Sequence, residues 1–330
     1  MRSLSIVMPI YNEEALIDEL VRRVTHVMDS LEREFDLASE WVLINDGSRD
    51  RSLEMLAKHA VSDPRLVIID LSRNFGHQPA IQAGLEHAAG DAVVIMDGDL
   101  QDPPELIPEL VQAWKKGSRV VVAQRRSRAE HGIKGMMFAA FHKMLAKVSD
   151  LKMETGSGVF GLLDRKAVNE VLLLRERNRF FPGLRSWVGY DQGVVYYDRE
   201  ERAAGEPKQT FGRLMRYAFD AVFSFSFKPL RAIWTFGFIV SIFSFAYALF
   251  LLVMRILNIN VVVGFTTPTV AILMLGGVQL ISIGILGEYL GRIYDEVKQR
   301  PHYVVNEIIR STNANAIATS PGVLSVSVEE

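Results

Sequence analysis

The chain has 330 residues, a formal net charge of −2 and a sequence pI of about 6.4. It contains no cysteine, which excludes disulfides and thiolate chemistry, and it carries no basic excess, which argues against a nucleic-acid partner. Its length suits one large domain plus a smaller part.

Up to about Leu230, charged and apolar residues are mixed as in an α/β domain. Short β-branched runs at Leu4–Met8, Trp41–Ile44, Leu66–Ile69, Ala92–Met96 and Val120–Ala123 read as strands. Helical patterns lie between them at Glu13–Leu31, Ser52–His59, Gln78–Ala88 and Pro103–Lys116. This alternation predicts a mostly parallel sheet covered by helices, with strands apolar on both faces. Ligands of such sheets bind beyond the carboxyl ends of the strands. Two amphipathic segments follow, Ile133–Val148 and Phe211–Phe225, each with an apolar stripe flanked by Lys or Arg, as in helices that lie in a headgroup plane. Packing on the domain core is the competing reading of the first.

Ala232–Met254 has no charged residue over 23 positions, and no charge separates Arg255 from Glu288. About 20 apolar residues span a bilayer core, so spans are predicted at Ala232–Met254 and Thr269–Leu286. Lys228 and Arg231 precede the first, Arg292, Lys298 and Arg300 follow the second, and the loop carries only Arg255. With no signal-peptide pattern at the start, this bias puts the large domain on the cytoplasmic side of the inner membrane as part of a multi-pass protein. Gly287 and Gly291 have the small-xxx-small spacing of a helix contact, a weak pointer to a homo-oligomer. After Arg310 the tail is rich in Asn, Ala, Thr and Ser and reads as disordered.

Polar clusters follow three of the strands: Pro9-Ile10-Tyr11-Asn12-Glu13, Asn45-Asp46-Gly47-Ser48, and Asp97-Gly98-Asp99-Leu100-Gln101-Asp102-Pro103-Pro104. They converge on one crevice of a parallel sheet. Two carboxylates beside a diphosphate would repel it unless a divalent cation bridges them; Mg²⁺ or Mn²⁺ takes such oxygens and acts as Lewis acid on a leaving diphosphate. Helix capping is the plain alternative for Asp97 and Asp99. Neither G-x-G-x-x-G nor G-x4-G-K-S/T is present, which disfavours dehydrogenases and P-loop NTPases.

These segments, with Leu71–His77, Trp187–Tyr190, Arg202, Gly205–Lys208 and Ser224–Arg231, resemble the dolichyl-phosphate mannose synthase branch of family 2 glycosyltransferases. Within it, the bacterial polyprenyl-phosphate glycosyltransferase subgroup is most similar, over about residues 4–305. The resemblance implies a GT-A fold: a catalytic domain over 1–210, a juxtamembrane amphipathic helix over 211–230, two membrane helices over 231–290 and a cytoplasmic tail over 291–330. It implies inverting, metal-dependent transfer of a hexose or related sugar from a nucleotide sugar, uridine-linked by subgroup, to a polyisoprenyl phosphate. Pro9, Tyr11, Glu13, Asn45 and Asp46 would hold the nucleoside; Asp97, Asp99 and Gln101 the metal and diphosphate; Arg125, Arg202 and Lys208 the phosphate charges. One departure stands out. Many relatives carry Gly-Asp-Phe-Arg-Leu where this chain has Gly158-Val159-Phe160-Gly161-Leu162, so no catalytic base is carried over to Val159. Glu154 is a nearby polar candidate. Two other readings stay open: a processive polysaccharide synthase, although no Gln-x-x-Arg-Trp motif is present, and a catalytically impaired membrane scaffold.

Overall fold

The computed structural model describes residues 2–125, 157–177, 179–198, 228–257 and 266–311. These divide into two compact units, one holding the sheet and the other two long helices.

In the sheet unit, strands β1 (Arg2–Ile10), β2 (Leu37–Asn45), β3 (Leu66–Leu71), β4 (Ala92–Ile95) and β5 (Val120–Arg125) alternate with helices α1 (Ile17–Phe35), α2 (Ser52–Ser62), α3 (His77–His87) and α4 (Ile107–Lys115), the last preceded by a 3₁₀ turn at Pro104–Leu106. Then come β6 (Ser157–Asp164), α5 (Arg165–Leu173), α6 (Phe181–Trp187), β7 (Gln192–Tyr197) and, late in the chain, β8 (Val305–Ile309). The eight strands order as β7-β5-β6-β4-β1-β2-β3-β8. β1, β2, β3 and β4 pair in parallel, as do β5 and β7, whereas β6 runs antiparallel between β4 and β5, and β8 runs antiparallel to β3. All the parallel strands therefore end on one edge.

Strand alternation sends successive side chains to opposite faces. Ile6, Met8, Leu43, Val94 and Met96 join the buried cluster of Leu20, Val24 and Leu31 from α1 with Leu110 and Trp114 from α4. Val7 and Ile44 face the other way, against α3. Gly84 permits that contact: a Cβ there would sit 2.2 Å from Val7 Cγ1 and 2.7 Å from Ile44 Cδ1.

The five strands and four helices expected from sequence are present, with ends shifted by up to four residues in either direction. β6, β7, β8, α5 and α6 went unread. Asp164 caps α5 by accepting from Lys166 N at 3.0 Å and also accepts from Trp114 Nε1 at 2.9 Å. Arg165 donates to the carbonyls of Gly90 and Ala88, each at 2.8 Å. The Asp-Arg pair is thus a structural clamp between β6, α4 and the entry to β4.

The second unit holds α7 (Lys228–Ile256) and α8 (Thr266–Val297). These helices enclose the segments read as spans. Among the described residues, no helix is long and apolar enough to cross a membrane; several side chains of both helices, at 232, 234, 241 and 244 among others, lie outside the described set. The amphipathic segments at 133–148 and 211–225 and the tail beyond 311 also lie outside the described residues.

The tight α3 contact gives a direct test. Gly84→Ala should lower the stability of the sheet unit by about 1–3 kcal/mol through overpacking. The thermal unfolding midpoint of the variant checks it; an unchanged midpoint would show that Val7 and Ile44 give way freely.

Candidate active site

Three strand ends meet at the edge defined by β1, β2 and β4. Asp46 N donates to Ile10 O at 2.9 Å, and Met96 N to Val7 O at 3.1 Å, so the β1 terminus is stitched to both neighbours. The turn after β4 lies directly on β1. At Gly98 a Cβ would meet Ile10 Cδ1 at 2.5 Å and Pro9 O at 3.2 Å. A larger residue would push Asp97 and Asp99 away from the β1 end.

Both turns use backbone conformations that L residues seldom adopt. Asn12 has φ 54° and Leu100 has φ 56°. Such strain costs on the order of 1–3 kcal/mol and gathers at functional sites. Burial of the Leu100 side chain holds the second turn in place. Within it, Asp99 Oδ1 accepts from Gln101 N at 3.1 Å.

The carboxylates have distinct surroundings. Asp97 Oδ1 pairs with His77 Nε2 at 2.7 Å, from the first residue of α3. Burial pulls the His77 imidazolium down, but the Asp97 bond and the charges of Asp97, Asp46 and Asp99 outweigh it and hold the pKa above the ordinary histidine value. Asp46 is 4% exposed and accepts from the amides of Phe75 at 2.7 Å and Gly76 at 3.0 Å. Burial raises its pKa despite those two amides. Asp46 therefore pins the 73–76 loop to the end of β2. Gly47 (φ 63°) allows the approach, since a Cβ there would lie 2.4 Å from Arg73 C.

Asn45 is buried. Its Nδ2 donates to Asp70 Oδ1 at 2.6 Å, and its Oδ1 accepts from Ser48 N at 3.2 Å. Asp70 Oδ2 accepts in turn from Asn306 Nδ2 of β8 at 2.8 Å. A strand from the segment read as a tail thus supports a residue of the crevice. No sequence signal marked this, because a five-residue strand of mixed polarity after two apolar helices looks like linker.

Pro9 is buried at the end of β1, Tyr11 is exposed on the rim, and Glu13 N is held by Ser52 Oγ at 3.0 Å. Gln101 is largely buried. Arg125, exposed at the end of β5, pairs in register with Tyr197 of β7. The Tyr197 hydroxyl donates to Asp102 Oδ1. Burial and the Asp102 charge push that phenol well up, while Arg125 opposes the shift. Asp102, unassigned from sequence, buckles the carboxylate loop to β7 next to Arg125. The structure thus brings Pro9, Tyr11, Glu13, Asn45, Asp46, Asp97, Asp99 and Gln101 to one edge, with Arg125 joined through Tyr197 and Asp102. Arg202, Lys208 and Glu154 lie outside the described residues.

Among the described residues, no group of three His, Cys, Asp or Glu side chains forms a metal cage. The donor set of Asp97, Asp99 and the Gln101 amide nonetheless fits Mg²⁺ or Mn²⁺ of the kind that takes one or two carboxylates and completes its shell with substrate phosphates and water.

Residues 5–172 match the model of Glycosyl transferase family 2. The chain is 42% identical over 306 residues to the SfII prophage-derived bactoprenol glucosyl transferase of Shigella flexneri, covering 92% of this chain and 97% of that one. It is 40% identical over 307 residues to the prophage bactoprenol glucosyl transferase homolog of Escherichia coli K12, covering 92% and 99%. Among solved structures, a glucosyl-3-phosphoglycerate synthase of Mycobacterium tuberculosis with Mn²⁺, UDP and glucosyl-3-phosphoglycerate is 21% identical, with a TM-score of 0.44 over 68% of this chain and 79% of that one. With a family model spanning half its length and relatives at or above 40% identity over nearly all of it, the chain belongs to glycosyl transferase family 2 and is a glycosyltransferase.

Proposed function

We propose that this chain transfers a sugar from a nucleotide sugar, uridine-linked, to a polyisoprenyl phosphate at the cytoplasmic face of the inner membrane. The observation that carries this is the convergence of Asp97 and Asp99 with the ends of β1 and β2 at one edge of a parallel sheet. The names of relatives at about 42% identity, bactoprenol glucosyl transferases, supply the acceptor class.

Pro9, Tyr11, Glu13 and the Asn45–Asp46 turn bind the nucleoside. Asp97, Asp99 and Gln101 hold Mg²⁺ or Mn²⁺, which when bound supplies Lewis-acid stabilisation to the departing diphosphate. An oxygen of the acceptor phosphate forms the new bond to the anomeric carbon. The bond from that carbon to the diphosphate oxygen breaks, and its electron pair leaves with the nucleoside diphosphate, inverting the centre. No general base is required, because a phosphate monoester has its second pKa at about 6 and is largely ionised at neutral pH. Transfer by this route needs no carboxylate at position 159, where this chain has Val. Arg125, with Arg202 and Lys208, receives phosphate charge.

α7 and α8 anchor the enzyme beside its lipid acceptor. Large apolar side chains on both helices, among them Phe243, Ile272, Leu280 and Ile281, are exposed, and an apolar surface of that kind seeks a lipid or protein cover. The basic amphipathic segments at 133–148 and 211–225 complete the interfacial anchor, and a homo-oligomer through Gly287 and Gly291 fits the same unit.

Two outcomes test the reading. Asp99→Asn should reduce nucleoside diphosphate release by at least about a hundredfold, on the scale of losing one preorganised electrostatic group, with the unfolding midpoint kept; full turnover would remove Asp99 from the metal site. EDTA should abolish release from the wild-type chain given undecaprenyl phosphate and UDP-sugar, and added Mn²⁺ or Mg²⁺ should restore it. Turnover that persists in EDTA would contradict the metal role.

A further inference from the structure

Arg185 on α6 is 2% exposed, the largest buried charged side chain among the described residues. Its Nη2 donates to Gly158 O at 3.2 Å. Its Nε and Nη1 have no hydrogen-bond partner among the described residues. Phe181 lies under the guanidinium, 5.9 Å from ring centroid to Cζ, and supplies no anion. Burial pulls the guanidinium down to about 10, so it stays charged at neutral pH. An ion taken out of water without a counter-charge is among the costliest features a core can hold, and its usual explanation is a missing partner.

The location says what that partner is. Gly161 pairs with Ile95 on one side and Val122 on the other, and Gly158 lies three residues nearer the edge where Asp97 and Arg125 sit. A Cβ on Gly161 would fall 3.2 Å from Arg185 Nη1 and 2.5 Å from Val121 O. The guanidinium therefore fills the space above position 161, and the close strand leaves room for no side chain there. α6 is tied to the site as well: Phe181 N donates to Gln78 Oε1 at 2.8 Å, and Gln78 follows the His77 that pairs with Asp97.

We propose that Arg185 is a phosphate-receiving cation of the active site, delivered from α6 into the space above Gly161. This rests on the transfer reaction proposed above. Its Nε and Nη1 point to different edges of the planar guanidinium, and each is a free charged donor able to take one phosphate oxygen. The phosphate belongs either to the donor diphosphate or to the polyprenyl phosphate.

Arg185→Met keeps the volume and removes the charge; Arg185→Lys keeps the charge on a single nitrogen. With the ligand-free full chain in detergent, Arg185→Met should raise the unfolding midpoint, since an unpaired buried charge is gone. It should also raise the KM for one phosphate substrate by at least about tenfold, the scale of one charge-assisted hydrogen bond. Arg185→Lys should fall between. A KM effect on UDP-sugar assigns the donor diphosphate; an effect on undecaprenyl phosphate assigns the acceptor. Wild-type and Arg185→Met kinetics within twofold for both substrates would overturn the proposal. So would a lowered midpoint with kinetics intact, which marks a purely structural arginine. Should the wild-type chain transfer no sugar, the reaction reading fails separately. The midpoint shifts induced by UDP with Mn²⁺ and by undecaprenyl phosphate then decide on Arg185: loss of one shift in Arg185→Met supports it, and retention of both overturns it.

Discussion

The site depends on how closely the turn after β4 lies on the end of β1. Carboxylates repel one another, and nothing intrinsic to Asp97 or Asp99 would hold them at a shared edge. Gly98 makes it possible by omitting the one carbon that would collide with Ile10. The parallel register of β4, β1 and β2 then carries the geometry across to Asn45 and Asp46. Strained backbone at Asn12 and Leu100 is the local cost, covered by the packed sheet beneath.

Around that contact the polar groups form a supporting shell. Asp46 clamps the 73–76 loop through two backbone amides, Asp70 joins Asn45 to Asn306, and Asp102 joins the carboxylate loop to Tyr197. Each is an acidic residue with carboxylate oxygen engaged in holding neighbouring segments in place. The same residue type therefore performs two jobs along one edge, and burial separates them: Asp46, Asp70 and Asp102 are buried, whereas Asp97 and Asp99 remain partly open.

This division explains how much the sequence could reveal. The central strands were legible because burial on both faces leaves continuous apolar runs, and the carboxylate loop was legible because Asp-x-Asp sat at a strand end before Pro103-Pro104. β6 was hidden by glycines at 158 and 161, which lower its apolar signal although Gly161 is demanded by the approach of Val121 and Arg185. β8 was hidden because its pairing with β3 is a long-range contact across more than 200 residues, and no local pattern encodes that. Asp46 read as a nucleoside ligand, yet its hydrogen bonds to Phe75 and Gly76 were invisible until the loop was placed. Arg185 was not marked as a site residue, because an arginine in a helix ordinarily reads as surface.

The central claim is that the edge formed by Asp97 and Asp99 gathers a divalent cation around a nucleoside diphosphate. Anomalous diffraction at the manganese edge, from crystals of the full chain grown with UDP and Mn²⁺, addresses it most directly. The account requires a peak within coordinating distance of both carboxylates and of the diphosphate oxygens. A manganese peak elsewhere, or UDP bound away from the ends of β1 and β2, would contradict it.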